Sequence, residues 1–154
     1  MGKEELTILT ADLREQQKQI EALYRKIASR KKNYARDEVA LESLAYQLHN
    51  LYSAFEDLFR LVANHFENHI ADPTGWHKEL LKRMKTPIPG VRPAFVSLEA
   101  LELLDGLRSF RHVFRHAYGF DLEPEKVRIV LQKALKLKGI YKRDLLAFLK
   151  QLQG

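Results

Sequence analysis

Two apolar stripes with identical stepping constrain this sequence more than any other feature. Leu6, Leu9, Leu13, Gln16, Ile20, Leu23 and Ile27 recur at alternating intervals of three and four, with one polar break at Gln16. Leu41, Leu44, Leu48, Leu51, Phe55, Leu58 and Val62 repeat the pattern. This spacing keeps every member on one side of an α-helix and does not fit the two-residue period of a half-buried strand. Each stripe has to be covered. The pattern therefore predicts two long helices, about 4–31 and 36–70, packed as an antiparallel hairpin. Ala45, Tyr52, Phe59 and Phe66 form a second stripe on the latter helix, so it needs partners beyond the first.

The remaining chain supplies those partners. Asp72-Pro73-Thr74-Gly75 has turn chemistry and ends the second helix. A short helix over 75–85 follows, with Trp76, Leu80, Leu81 and Met84 on one side. Three prolines within Thr86–Pro93 exclude a helix there. That segment reads as an ordered loop braced by Arg92. Ser97 is a suitable N-cap for a helix over 98–117, and Gly119 stands where a C′ residue belongs. Pro124 opens a helix over 124–137, and Gly139 separates it from a last helix over 140–152. There is no strand pattern. The expected fold is all-α: an up-and-down bundle built on a long helical hairpin with shorter capping helices, forming a single domain over residues 1–154.

Composition narrows the function. Hydrophobic residues make up 45% and charged residues 30% of the chain, a balance that argues for a packed core rather than disorder. No apolar run approaches the roughly 18 residues of a membrane span, and the N-terminus has no apolar signal core, so neither membrane insertion nor export is expected. The absence of cysteine excludes disulfides, thiol catalysis and cysteine-ligated metals, and it fits the cytoplasm. No Gly-rich phosphate loop and no Ser-His-Asp pattern is present, which disfavours ATP and ester hydrolysis.

Charge is divided between the halves. Residues 1–75 carry 10 basic and 12 acidic side chains, and residues 76–154 carry 16 and 8. The second half should attract polyanions. The join at Ser29–Arg36 is also basic, with Tyr34 among its cations; its plain reading is a solvated turn.

The informative segment is Arg108-Ser109-Phe110-Arg111-His112-Val113-Phe114-Arg115-His116-Ala117-Tyr118. On a helix, Leu103, Leu107, Phe110, Val113, Phe114 and Ala117 share a face expected to be core. The opposite face carries Arg108, Arg111, His112, Arg115 and His116, with no acid among them. Arginine presents a planar fork to phosphate oxygens, and histidine exchanges protons near neutral pH. Together they suit metal-free phosphodiester transfer by an RNA 2′-hydroxyl. Arg111 and His116 point about 140° apart on a straight helix. Two copies of this helix across a two-fold axis would bring both to one cleft.

Arg111-x4-His116-x-Tyr118 resembles the Arg-x4–6-His motif of the HEPN superfamily, and with the tyrosine it looks like the HepT ribonuclease toxins. The segments Tyr46–Tyr52, Trp76–Leu81, Pro89–Pro93 and Phe110–Tyr118 extend the likeness over about residues 38–135. The resemblance implies a metal-independent RNA endonuclease, a homodimer with both motifs at one cleft. Arg111 would hold phosphate and His116 would be the acid/base. His112, Arg115 and Arg108 would support them. His112 stands where many relatives have another polar residue, often Asn. Glu56 is the candidate for an acidic residue that relatives often use on the second helix; Asp57 competes, and pairing of Glu56 with Arg60 is the alternative. Tyr118 matches the tyrosine that the cognate MntA-type nucleotidyltransferase antitoxin modifies with AMP. The implied partners are an RNA substrate such as tRNA, that antitoxin, a second copy of the chain, and a higher assembly with the antitoxin.

No cofactor is expected. His65 and His69, with Glu67 between them, have metal-ligand spacing but no evident third ligand. His112 and His116 share that spacing, but the neighbouring arginines would repel a cation. The competing functional class is a non-catalytic helical module that binds RNA or protein through the same basic face.

Overall fold

Among the described residues five helices form in chain order: α1 (Lys3–Arg30), α2 (Glu38–Phe66), α3 (Trp76–Lys85), α4 (Leu98–Arg115) and α5 (Pro124–Gln153). They come from a computed structural model that describes residues 1–67, 76–116 and 122–154. Among the described residues there is no β-strand, only one bridge between Ile88 and Arg92. The fold is an all-α bundle.

Both stripes face inward. Leu9, Leu13, Ile20 and Ile27 of α1 are buried, as are Leu41, Leu44, Leu48, Leu51, Phe55, Leu58 and Val62 of α2. Each fully buried side chain of this kind contributes roughly 1.5–3 kcal/mol. The polar break is accommodated by a bond: Gln16 Nε2 donates to the Ala54 carbonyl of α2 at 2.9 Å. Asn33 turns the chain between the two helices with φ of 61°, a conformation asparagine tolerates better than most residues. Asp37 caps α2 by accepting from Val39 N at 2.9 Å. The second stripe on α2 is covered too. Phe59 meets Phe95, Phe66 and Phe95 meet Phe148 of α5, and Phe55 meets Tyr141 edge-on at 5.0 Å.

The expected break in the last quarter does not occur: α5 runs unbroken from Pro124 to Gln153 through Gly139. A mid-helix glycine costs about 1 kcal/mol. Burial of Leu131, Ala134, Leu137, Tyr141, Leu145 and Phe148 at continuous helical spacing outweighs that. Tyr24 Oη also donates to Ala134 O at 2.8 Å, tying α1 to the middle of α5.

The expected helix starts form at Ser97, as a cap, and at Pro124, as a first residue. Ser97 Oγ accepts from Ala100 N at 3.2 Å and donates to Asp144 Oδ2 at 2.8 Å, anchoring the start of α4 to α5. Pro124 opens α5. The proline-rich segment is ordered around Arg92, as its sequence suggests. The buried Arg92 guanidinium binds Glu67 and donates to the carbonyls of Thr86, Pro93 and Arg83. Gly90, with φ of 79°, makes the tight turn between Ile88 and Arg92.

Candidate functional site

The basic segment of α4 departs from its simple two-face reading. Ala100, Leu104, Leu107 and Phe110 form the buried face, whereas Val113 is 46% exposed and Phe114 is only partly covered. Ala117 and Tyr118 lie outside the described residues. Arg111 does not stand in solvent opposite the core. It turns towards α2, where its Nε donates to Ser53 Oγ at 3.1 Å.

Arg108 is also occupied. Asp105, one turn earlier, accepts from its Nε at 2.9 Å and lies 2.8 Å from its NH2 nitrogen. The cationic face therefore has an acid beside it after all. The pairing reduces what Arg108 could offer a phosphate. Arg115, His112 and His116 are exposed at the end of α4, where the two imidazole rings lie 4.8 Å apart.

Glu56 is buried and accepts from His77 Nδ1 of α3 at 2.6 Å. Its i,i+4 neighbour Arg60 instead pairs with Asp57 at 3.6 Å and sits over the Trp76 ring at 4.0 Å. Trp76 packs partly against the core rather than standing free for a base. Glu56 is thus joined to α3, not to Arg60.

The spacing idea at His65 and His69 meets a different arrangement. Glu67 between them is bound by Arg92 and by Arg83, whose NH1 lies at 2.9 Å. A carboxylate already shared by two guanidiniums makes a poor cation ligand. His69 lies outside the described residues.

Around Arg111, α2 presents residues that the apolar pattern hides. His49, Ser53 and Glu56 occupy positions i, i+4 and i+7, one polar strip on a helix otherwise read as core. His49 is half-buried, with its ring centroid 5.1 Å from that of Phe114 of α4. Its Nδ1 lies 3.2 Å from Asn50 Oδ1. Burial lowers the His49 pKa below the usual imidazole range, and the charges of Arg111 and Arg115 push it the same way against the Asn50 hydrogen bond. Tyr52, on the same stretch, is fully buried, and its hydroxyl has no hydrogen-bond partner among the described residues. Burial raises its pKa first, and the charge of Glu56 adds to that. Arg108, Asp105 and Arg111 also act on Tyr52, which places it at the meeting of α2 and α4. The signal for these residues was present in the sequence: polar groups four and then three apart inside an apolar helix.

The arrangement offers a fixed guanidinium, a second exposed one, and imidazoles on both sides of the α2–α4 contact. Such groups can hold a phosphodiester and move protons. No group of three or more His, Cys, Asp or Glu able to hold a metal ion occurs among the described residues. No helix among them is long and apolar enough to cross a membrane.

An all-α bundle with this α4 segment defines a HEPN-type protein. The family model described as HepT-like protein matches residues 43–152, and the chain belongs to that family. The match spans all of α3 and α4 and most of α2 and α5, leaving α1 outside it. Comparisons with curated proteins and with solved structures give no match.

Proposed function

We propose that this chain is the ribonuclease toxin of a toxin–antitoxin pair and cleaves RNA without a metal. The observation that carries the reading is Arg111, held by Ser53 beside the exposed Arg115, with His112 and His116 at the same end of α4. Arg111 binds the scissile phosphate and stabilises the extra charge of the phosphorane. His116 exchanges protons with the reacting oxygens. The RNA 2′-oxygen attacks phosphorus, the bond to the 5′-oxygen breaks, and the products carry a 2′,3′-cyclic phosphate and a 5′-hydroxyl. Two chains contribute their α4 motifs to one cleft. A nucleotidyltransferase antitoxin silences the enzyme by transferring AMP to Tyr118, placing an anion and an adenosine in the path of the RNA.

The test is cleavage of a cellular RNA pool and of tRNA by purified protein in EDTA, beside His116→Ala and Arg111→Ala. Cleavage by the wild type alone, abolished when the target 2′-hydroxyl is replaced by hydrogen, is expected. Salt-sensitive binding without cleavage would instead make the chain a binding module. Mixing the two variants tests the shared cleft: a heterodimer that regains activity draws Arg111 and His116 from different chains. Intact mass after incubation with the antitoxin and ATP, for wild type and Tyr118→Phe, tests the control step.

A further inference from the structure

We infer that His49 of α2 is a further catalytic residue of this cleft, the general base that takes the proton of the attacking 2′-hydroxyl. The inference rests on the nuclease reading above and adds a residue outside the α4 motif. Three features of its surroundings support that role.

The first is position. His49 lies against Phe114 at 5.1 Å between centroids, in the turn of α2 that precedes Ser53. Ser53 holds Arg111, so the imidazole and the phosphate-binding guanidinium belong to one corner of the α2–α4 contact. The second is the tautomer. Asn50 Oδ1 can only accept, so the 3.2 Å contact is a hydrogen bond when His49 Nδ1 carries the proton. The ring lone pair is then on Nε2, the form a base requires. The third is charge. The charged groups acting on the ring are Arg111 and Arg115 from α4, and on α2 its polar neighbours are Asn50 and Tyr46. Partial burial first, and then the two cations, favour the neutral imidazole against the Asn50 hydrogen bond, leaving it ready to accept a proton at neutral pH.

Proton bookkeeping closes with two histidines. His49 Nε2 takes the 2′-hydroxyl proton as the 2′-oxygen bonds to phosphorus. The protonated His116 imidazole gives its proton to the departing 5′-oxygen as that bond breaks. Proton exchange with solvent then resets both rings, and no other reactant is consumed. His116, exposed at the end of α4, can reload from water, whereas the half-buried His49 stays neutral between turnovers.

The experiment compares wild type, His49→Gln, Asn50→Asp and His116→Ala on two substrates: an RNA oligonucleotide and the same oligonucleotide with sulfur in place of the 5′-bridging oxygen at the cleaved bond. Sulfur leaves without protonation, so it rescues loss of an acid but not loss of a base. His49→Gln should lose about 10²–10⁴-fold in kcat/KM on both substrates while keeping RNA affinity. Its pH profile should lose the acidic limb, which in wild type lies below the usual imidazole value of about 6.5. His116→Ala should be rescued by the sulfur substrate. Asn50→Asp places a carboxylate beside the ring and should move the acidic limb to higher pH, a shift that a packing role would not produce; it decides the matter even if His49→Gln fails to fold. A His49→Gln enzyme with an unchanged limb, one rescued by sulfur, or an Asn50→Asp enzyme with an unmoved limb overturns the assignment and leaves the nuclease standing. A wild type that binds RNA and never cleaves it removes the nuclease reading and this one with it.

Discussion

Arg111 of α4 donates its Nε proton to Ser53 Oγ of α2 at 3.1 Å, so the guanidinium is held by a neighbouring helix. Ser53 donates in turn to the carbonyl of His49 at 3.4 Å. Removing the hydroxyl frees the guanidinium without removing its charge. Ser53→Ala should lower cleavage about tenfold, the equivalent of one hydrogen bond of roughly 1.4 kcal/mol. Its melting temperature should change little, because Ser53 is not fully buried. Steady-state kinetics beside a thermal melt checks this; full activity would show that Arg111 needs no holder.

The Glu67–Arg92 pair should dominate the stability of the loop. The Arg92 side chain is 1% exposed and the Glu67 side chain 9%. Arg92→Met leaves a carboxylate short of one partner and takes a donor from the carbonyls of Thr86, Pro93 and Arg83, of which Arg83 O keeps Thr86 N at 3.1 Å. Breaking a buried pair by removing one partner costs about 3–5 kcal/mol. Arg83 still serves Glu67, which places the expected loss at the lower end. Glu67→Gln combined with Arg92→Met should cost less than the two single changes together. Urea titration of the three variants measures it.

Gly139→Ala should stabilise the protein. The residue lies inside α5, and a Cβ built there meets nothing within 4 Å. Alanine replaces glycine in an exposed helix interior for a gain of about 0.5–1 kcal/mol. A higher urea midpoint with unchanged slope is the expected readout. No gain would indicate a local departure from helical geometry at this point.

Alkaline pH should destabilise the fold through its tyrosines. Tyr24, Tyr52 and Tyr141 all have pKa values raised above the ordinary 10.0, in each case chiefly by burial. The unfolded chain releases these protons from about pH 10 upward while the folded chain keeps them. Stability is therefore fully present below pH 10 and falls as pH rises beyond it. Tyr52→Phe should make the fall shallower at little cost near neutral pH, because its hydroxyl has no partner to lose among the described residues. Tyr24→Phe should be costlier at all pH values, since Tyr24 donates to Ala134 O. Chemical denaturation between pH 8 and pH 11 compares them.

Much of the fold was legible because burial is periodic. Leu41 to Val62 on α2 are inside as their spacing requires, and Ser97 and Pro124 begin their helices as their backbone chemistry favours. Gly139 misled because a local cost of about 1 kcal/mol is small beside continuous burial on both sides. The site was less legible. Helical geometry on one segment showed Arg111 on a polar face, but it could not show α2 reaching across to it. Arg108 looked free because Asp105 lies on the preceding turn, just outside the cluster. Glu56 had Arg60 within reach of its sequence position, and only the packing of α3 selected His77. His49 lies on a polar strip that helical spacing alone makes visible, but nothing in the sequence joins that strip to α4.

Gln16 has a consequence for how the molecule chooses its shape. Two leucine-rich seven-residue repeats laid against each other are nearly as content after sliding by one repeat, because leucine meets leucine again. The amide of Gln16 marks the alignment that forms. Its Nε2 reaches Ala54 O there, and a slide of either helix has to break that bond first. The polar group gives up some apolar contact for a fixed point between the two helices. Ala54 adjoins Ser53, the residue that holds Arg111. The glutamine that reads as a flaw in the first stripe therefore ties α1 to the stretch of α2 that meets α4.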